Sequence, residues 1–98
     1  MAKPRLSSAA IEDIRSIRGY TERRFGADAV VLYLSDIDAA ISLIGDRPTL
    51  GRSERAIERD LRSFPCRFHR IYYRGAPGSV EISRILHQAQ DVAGQFDP

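Results

Sequence analysis

The stretch Leu61-Arg-Ser-Phe-Pro-Cys-Arg-Phe-His-Arg-Ile-Tyr-Tyr-Arg74 decides the fold, together with Val80-Glu-Ile-Ser-Arg-Ile-Leu-His87 that follows it. Both stretches are rich in aromatic and β-branched residues, which pack well in sheets. The Gly-Ala-Pro-Gly sequence at 75–78 is typical of a hairpin turn. These features predict three strands, over residues 61–66, 68–74 and 79–87, in a mostly antiparallel sheet.

Upstream of these strands the apolar residues recur at helical spacing, which predicts two amphipathic helices. Ser7 or Ser8 is placed to cap the first helix, and Gly26 to end it. Asp28 is predicted to cap the second helix, which Gly45 ends. The apolar stripes consist of Ile11, Ile14, Ile17 or Arg18, Thr21 and Phe25 in the first helix, and of Val30, Leu34, Ile37, Ile41 and Ile44 in the second. Helices joined by so few residues form an antiparallel αα-hairpin.

The predicted fold class is therefore α+β. Pro4-Arg5-Leu6 adds a short N-terminal edge strand, since proline is tolerated at sheet edges. The order is one short strand, the αα-hairpin and a mostly antiparallel sheet of three further strands, with the helix stripes covering one sheet face. Ninety-eight residues suffice for one hydrophobic core, so residues 1–98 are expected to form a single domain.

Composition predicts a cytoplasmic protein without cofactors. The single Cys66 excludes an internal disulfide and is expected to be a small buried hydrophobe. The longest apolar run, residues 29–34, is too short to cross a bilayer, and no apolar leader follows Lys3. The sequence contains neither a glycine-rich phosphate loop nor a metal-ligand spacing, so we expect no cofactor and no metal.

Positive charge is concentrated in the second half of the chain. Residues 1–46 carry six basic and seven acidic side chains, whereas residues 47–98 carry nine and six. All the basic residues except Lys3 are arginines, whose planar guanidinium suits bidentate recognition of carboxylate or phosphate. Genome composition explains such a bias equally well.

The alternation of the strands predicts a basic sheet face. In the middle strand, one face is predicted to carry Phe68, Arg70, Tyr72 and Arg74, and the other His69, Ile71 and Tyr73. In the last strand, one face is predicted to carry Val80, Ile82, Arg84 and Leu86. The predicted basic surface comprises Arg62, Arg67, Arg70, Arg74 and Arg84, with Tyr72 or Tyr73 among them. It would anchor an acidic protein segment or nucleic-acid phosphate. The alternative is a solvated face on which arginine stems cover aromatic rings.

Two histidines are candidates for chemistry. His87 lies near the end of the last strand, where it is either a general acid or base or a solvated side chain. His69 is expected to be buried with one hydrogen bond. Neither has an orienting partner in the sequence, so no enzyme site is predicted from the residues alone.

Four segments, in this order along the chain, resemble the ParE branch of the RelE/ParE toxins. They are residues 4–17, the connector Arg47-Pro-Thr-Leu-Gly-Arg52, residues 61–74, and Ile82-Ser-Arg-Ile-Leu-His87 followed by Asp91. In the connector, Arg47 stands where the family usually has histidine. The resemblance covers nearly the whole chain.

The resemblance implies the toxin component of a type II toxin–antitoxin system, which inhibits DNA gyrase by binding. It further implies a cognate ParD-like antitoxin, whose C-terminal segment would use the groove beside the αα-hairpin and the sheet. The candidate antitoxin-binding or target-binding residues are Arg62, Arg70, Tyr72, Arg74, Arg84 and His87.

The RelE branch of the same superfamily implies an alternative, a ribosome-dependent mRNA endonuclease. Its candidate catalytic residues would be His87, Arg84, Arg62 and Arg70. The central strands contain no lysine or glutamate to act as the base, since Lys3 is the only lysine and Glu81 lies at a strand start. A third reading is a toxin-like protein that has become inactive.

Overall fold

A computed structural model describes residues 3–76 and 78–96 and has the predicted α+β architecture. The elements are β1 (Arg5–Leu6), α1 (Ser8–Phe25), α2 (Ala27–Asp46), β2 (Arg52–Ser53), β3 (Leu61–Cys66), β4 (His69–Ala76), β5 (Ser79–His87) and α3 (Val92–Gln95). The strands form one five-stranded sheet in the order β1-β5-β4-β3-β2. Strand β1 pairs parallel with β5, and the other pairs are antiparallel.

A single glycine divides the αα-hairpin. Ser7 caps α1, because its side-chain oxygen accepts a hydrogen bond from the Ala10 amide at 3.0 Å. Gly26, with φ of 89°, ends α1 and also precedes the first residue of α2. The predicted cap at Asp28 is therefore wrong, and α2 continues one residue beyond Gly45. The second helical stripe is confirmed in its buried members, Ile37, Ile41 and Ile44.

The segment between α2 and β3, residues 47–60, contains a strand that the sequence pattern did not predict. We call this whole segment the connector. Arg52–Ser53 pairs with β3 and extends the sheet by one strand. The Tyr73 hydroxyl holds the preceding turn, because it accepts from the Gly51 amide at 2.8 Å and donates to the Pro48 carbonyl at 2.7 Å. A Cβ at Gly51 would lie 2.6 Å from the Tyr73 hydroxyl, so the turn requires glycine.

Two hairpins join the last three strands, of which the second was predicted from the sequence. Strands β3 and β4 are joined by a tight turn at Arg67, which has φ of 55°, and β4 begins at His69, one residue later than predicted. Ala76 pairs with Ser79 across the second hairpin. The predicted turn there includes Pro77, which lies outside the described residues.

A bulge in β5 overturns part of the predicted face assignment. Tyr72 pairs with Arg84 and Tyr73 with Ile82, so Ser83 has no partner in the β4–β5 register. An extra residue reverses the alternation of side chains downstream of it. Arg84 therefore lies on the face of the sheet opposite to that of Ile82, although a strict period of two placed both on one face.

The two faces of the sheet contact different elements. The face that we call the helix face packs against α1 and α2, with Ile44, Ile71 and Tyr73 in its core. The other, the α3 face, buries Leu61, Tyr72 and Leu86, against which Ile57, Val92 and Phe96 pack. Within residues 3–76 and 78–96, no helix is both long enough and apolar enough to span a membrane.

Candidate functional site

The structure brings four of the predicted site residues together on the α3 face: Arg70, Tyr72, Arg74 and Arg84. Tyr72 is buried and contacts the Phe96 ring edge to face, with 5.6 Å between the ring centroids. The Arg74 guanidinium lies 5.9 Å from the centre of the same ring. The α3 face is therefore partly covered by the C-terminal helix.

The arginines of the α3 face are paired with carboxylates. Arg84 makes a bidentate contact with Asp13 of α1 through two hydrogen bonds of 2.8 Å, and this hydrogen bonding raises the pKa of the guanidinium. Asp13 also accepts the Ile85 amide at 2.8 Å. Arg74 pairs with Glu58 of the connector. The residues lie on the predicted face, but their charges are largely neutralised within the protein.

Arg70 reaches a carboxylate through a serine. Its Nε donates to the Ser63 hydroxyl at 3.0 Å, and that hydroxyl donates to Glu54. Burial acts to raise the pKa of Glu54, but the hydrogen bonds from Ser63 and Arg52 outweigh it, so the pKa is lowered. Glu54 therefore stays charged and holds these donors in place.

Two further arginines of the predicted basic surface lie elsewhere. Arg62 pairs with Tyr73 in the β3–β4 register and so points to the helix face, where its Nη1 donates to the Gly51 carbonyl at 2.7 Å. Arg67 lies in the β3–β4 turn, pairs with Asp36 of α2 and sits 5.8 Å from the centre of the Tyr33 ring. The predicted surface of five arginines is therefore wrong as a single patch.

The two histidines meet at one end of the helix face. His69 pairs with His87 across β4 and β5, and their ring centroids are 5.3 Å apart. His69 is half-buried, and its Nδ1 is hydrogen-bonded to the Tyr33 hydroxyl, which confirms the prediction of one bond. Burial and the neighbouring His87 lower the pKa of His69 from 6.5 to about 4. His69 is neutral at physiological pH.

The four residues of the RNase alternative do not converge. His87 and Arg62 are near opposite ends of the helix face, with their β4 partners His69 and Tyr73 four residues, or about 13 Å, apart. Arg70 and Arg84 lie on the α3 face. General acid–base catalysis requires its groups within hydrogen-bond reach of one substrate, a condition that this arrangement does not meet.

The described residues form neither a reactive thiol nor a metal site. Cys66 is buried, as predicted, and burial raises the pKa of its thiol, which keeps it protonated. Among the residues that the structure describes, no three His, Cys, Asp or Glu side chains are grouped as metal ligands would be.

An apolar groove of about 410 Å³ lies between the αα-hairpin and the β3–β4 turn. We call it the hairpin groove; its lining includes Tyr20, Phe25, Leu32, Phe68 and His87. The exposed fractions of its apolar side chains are 53% for Tyr20, 66% for Phe25, 65% for Leu32 and 61% for Phe68. Such large exposed apolar residues, when contiguous, mark an interaction surface.

Sequence reasoning identified only part of the hairpin groove. His87 was a candidate, whereas Phe25 was assigned to the buried stripe of α1 and is instead mostly exposed. The available signal was that Leu32 falls between the two predicted stripe positions Val30 and Leu34, on the side of α2 that the stripe does not use. An apolar residue outside the stripe needs another partner to cover it.

Comparison with known proteins identifies the family. Residues 5–92 match the family model described as ParE toxin of the type II toxin–antitoxin system parDE. The chain is 31% identical over 87 residues to Toxin ParE1 of Caulobacter vibrioides, covering 89% of this chain and 90% of that protein. It is 32% identical over 88 residues to Toxin ParE1 of Mycobacterium tuberculosis, with the same coverage.

Solved structures include one with a similar fold. It is described as the chromosomal ParDE TA system from P. aeruginosa and superposes with a TM-score of 0.76. The match covers 89% of this chain and 96% of that chain at 15% sequence identity. The likeness therefore extends over most of both chains.

Proposed function

Because this chain belongs to the ParE toxin family of type II toxin–antitoxin systems, we propose that it inhibits DNA gyrase and is neutralised by a ParD-like antitoxin. The observation that supports an antitoxin site is the hairpin groove, whose apolar lining lies open to solvent. The toxin would act by binding its target, and the antitoxin by covering part of the toxin surface.

The hairpin groove suits an apolar segment of the antitoxin. Tyr20, Phe25 and Leu32 expose more than half of their surface, which is costly for an isolated chain and favourable once covered. An amphipathic helix docks in such a groove by inserting residues of its apolar side. The Arg67–Asp36 ion pair at the rim offers polar contacts around these anchors.

Inhibition by binding is supported by the dispersal of the candidate catalytic residues. His87 and the α3-face arginines Arg70 and Arg84 lie on opposite sides of the sheet. The α3-face arginines are moreover held by carboxylates, directly or through Ser63, so they are not free to neutralise a reacting phosphate.

The activity is tested with purified gyrase and supercoiled plasmid, in parallel with an in vitro translation reaction. We expect cleaved plasmid to accumulate while mRNA remains intact. Ribosome-dependent mRNA cleavage with normal gyrase activity would establish the RNase alternative, and the absence of both effects would favour an inactive or retargeted member.

The antitoxin site is tested with two neighbouring residues of α2. Leu32 lines the hairpin groove and Val31 does not, although both are exposed, at 65% and 68%. Leu32→Glu should weaken antitoxin binding by about 30-fold or more, as expected for a buried interface anchor, and Val31→Glu by less than about threefold. Isothermal titration calorimetry gives both values. Equal effects of the two variants would exclude the groove as the antitoxin site.

A further inference from the structure

Three neighbouring arginines, Arg55, Arg59 and Arg62, differ from the arginines of the α3 face because they form no ion pair among the described residues. Within residues 3–76 and 78–96, Arg55 and Arg59 form no ion pair and no side-chain hydrogen bond, and Arg62 donates only to the Gly51 carbonyl. Nearby, Glu54 pairs with Arg52 and Glu58 with Arg74. Glu54 and Glu58 are thus used by other arginines, which leaves Asp60 as the carboxylate near Arg55, Arg59 and Arg62.

These arginines line a cleft of about 460 Å³, which we call the connector cleft. Its lining includes Arg55, Arg59 and Arg62, the hydroxyl residues Thr49 and Ser53, and one carboxylate, Asp60. Three guanidinium groups against one carboxylate leave a formal charge of +2 around the cleft. A concave surface concentrates such a potential and attracts anions.

Hydrogen bonds order the backbone that carries these side chains. The Glu58 amide donates to the Glu54 carbonyl at 3.2 Å, which closes a turn over residues 54–58. Arg55 lies in this turn and Arg59 directly follows it, and both line the cleft. On the other wall of the cleft, Tyr73 fixes the turn from Pro48 to Gly51. A backbone that is already ordered loses little entropy when the cleft binds an anion.

The chemistry of the lining favours a phosphodiester over an acidic peptide. Guanidinium groups and hydroxyls are the usual donors to phosphate oxygens. No aromatic side chain lines the cleft, so stacking of unpaired bases does not contribute. The hairpin groove provides the apolar anchors that a bound peptide needs, whereas the connector cleft is predominantly polar.

We propose that the connector cleft binds the backbone phosphates of duplex DNA, independently of base sequence. Arg55 and Arg59 would each contact a phosphate, and Arg62 would use the guanidinium nitrogens that Gly51 leaves free. The inference goes beyond the proposed inhibition of gyrase, because it assigns the toxin a direct contact with DNA that needs no enzyme.

The test measures fluorescence anisotropy of a labelled 20-bp duplex with the full chain at several KCl concentrations. The Arg55→Gln/Arg59→Gln variant is compared with Arg18→Gln/Arg23→Gln, which removes the same charge from exposed arginines of α1. Loss of two phosphate contacts should make the slope of log K against log salt shallower by about 2. At low salt the cleft variant should bind about tenfold more weakly, and the α1 variant less than about threefold more weakly.

Three results would overturn the proposal. Equal losses in the two variants would mean that only net charge matters, and no loss in the cleft variant would exclude the site. Displacement of the duplex by millimolar inorganic phosphate at constant ionic strength would mean that the cleft takes a free phosphate. Thermal unfolding of each variant serves as the folding control, and nearly unchanged melting is expected because Arg55 and Arg59 are exposed and form no ion pair or side-chain hydrogen bond among the described residues.

An antitoxin titration separates the acidic-peptide alternative. If the cleft variant loses antitoxin affinity and keeps DNA affinity, the cleft is a protein contact and the proposal fails. Gyrase is absent from the binding assay, so loss of DNA binding and failure of gyrase inhibition are independent results.

Discussion

The helix face and the α3 face of the sheet are stabilised in different ways. On the helix face, side chains from both long helices meet the strands, and Ile44 and Ile82 are fully buried. The buried apolar cluster of the α3 face is smaller and consists of Leu61, Tyr72 and Leu86, and ion pairs supply much of the remaining contact. Apolar burial on the helix face therefore provides most of the stability, while an ion pair from Glu58 to Arg74 positions the connector against the sheet.

This difference predicts different responses to solution conditions. Ion pairs that are partly exposed weaken as salt screens them, whereas apolar contacts do not. The side chains of Arg74 and Glu58 are 35% and 34% exposed, so their pair is open to screening. We therefore expect the connector to loosen before the αα-hairpin does.

The largest effect is expected from a charge in the core of the helix face. Ile37 is 2% exposed in the middle of the α2 stripe. Ile37→Asp removes apolar contacts and buries an unpaired carboxylate, at a cost of about 4 kcal/mol or more, which a small domain does not tolerate. Circular dichroism should show an unfolded chain. Val31→Asp, at a 68% exposed position of the same helix, should melt like the wild type; cooperative melting of the Ile37 variant at the wild-type temperature would contradict this core.

The second-largest effect is expected where Tyr73 of the helix face contacts Gly51 of the connector. Gly51→Ala would place a Cβ 2.6 Å from the Tyr73 hydroxyl and 2.7 Å from the Ser63 carbonyl. Displacing Tyr73 also breaks its hydrogen bonds to the connector, so we expect a loss of about 3 kcal/mol in the free energy of unfolding. Urea denaturation gives the value. At Gly26, by contrast, an added Cβ would meet no atom within 4 Å, and alanine would be strained by the φ of 89° alone. A loss below about 1 kcal/mol for Gly51→Ala would mean that the turn moves away easily.

The helix face could be predicted because its signals are local and repeated. The spacing of Ile37, Ile41 and Ile44 defines a helix surface without knowledge of any partner, and the turn at 75–78 marks the hairpin between the last strands. Strand β2 was missed because two residues carry no periodicity. The bulge at Ser83 was missed because an inserted residue appears only when the register of both strands is known.

The α3 face could be predicted only in part. Alternation placed Arg70, Tyr72 and Arg74 on one face, as the structure has them. Their carboxylate partners come from residues far along the chain: Asp13 is 71 positions from Arg84, and Glu58 is 16 from Arg74. Counting charges along a strand cannot show such pairing, which made a neutralised face look basic.

The third prediction tests the ion pairs of the α3 face. Arg84→Ala removes the bidentate contact with Asp13. The side chains of Arg84 and Asp13 are 21% and 13% exposed. The loss should be about 2 kcal/mol, between the values for exposed and fully buried pairs. Hydrogen exchange should increase in α3, whose Gln95 side chain Arg84 also contacts. Arg15→Ala, which breaks an exposed pair with Glu12, should change stability by less than about 0.5 kcal/mol. Equal effects of the two variants would mean that the Arg84–Asp13 pair stabilises the protein no more than an exposed ion pair does.

The smallest effect concerns the histidine pair at the end of the helix face. Burial and His87 lower the pKa of His69 from 6.5 to about 4, against a smaller opposing effect of Asp13. Between these values the unfolded chain binds a proton that the folded chain does not, so stability decreases as pH falls from about 6.5 towards 4. Solvent screening reduces the effect, and we expect a loss of about 1 kcal/mol between about pH 7 and pH 5.

Urea denaturation of the wild type and two variants at about pH 7 and pH 5 isolates the contribution of His69 to this loss of stability. His69→Gln should remove most of the decrease, since glutamine does not titrate. His87→Gln should reduce it less, because burial, the larger cause of the lowered pKa of His69, remains. If His69→Gln and the wild type lose the same stability between pH 7 and pH 5, acid sensitivity arises from the carboxylates of the α3 face instead. Protonation would then change the stability of the α3 face and not that of the helix face.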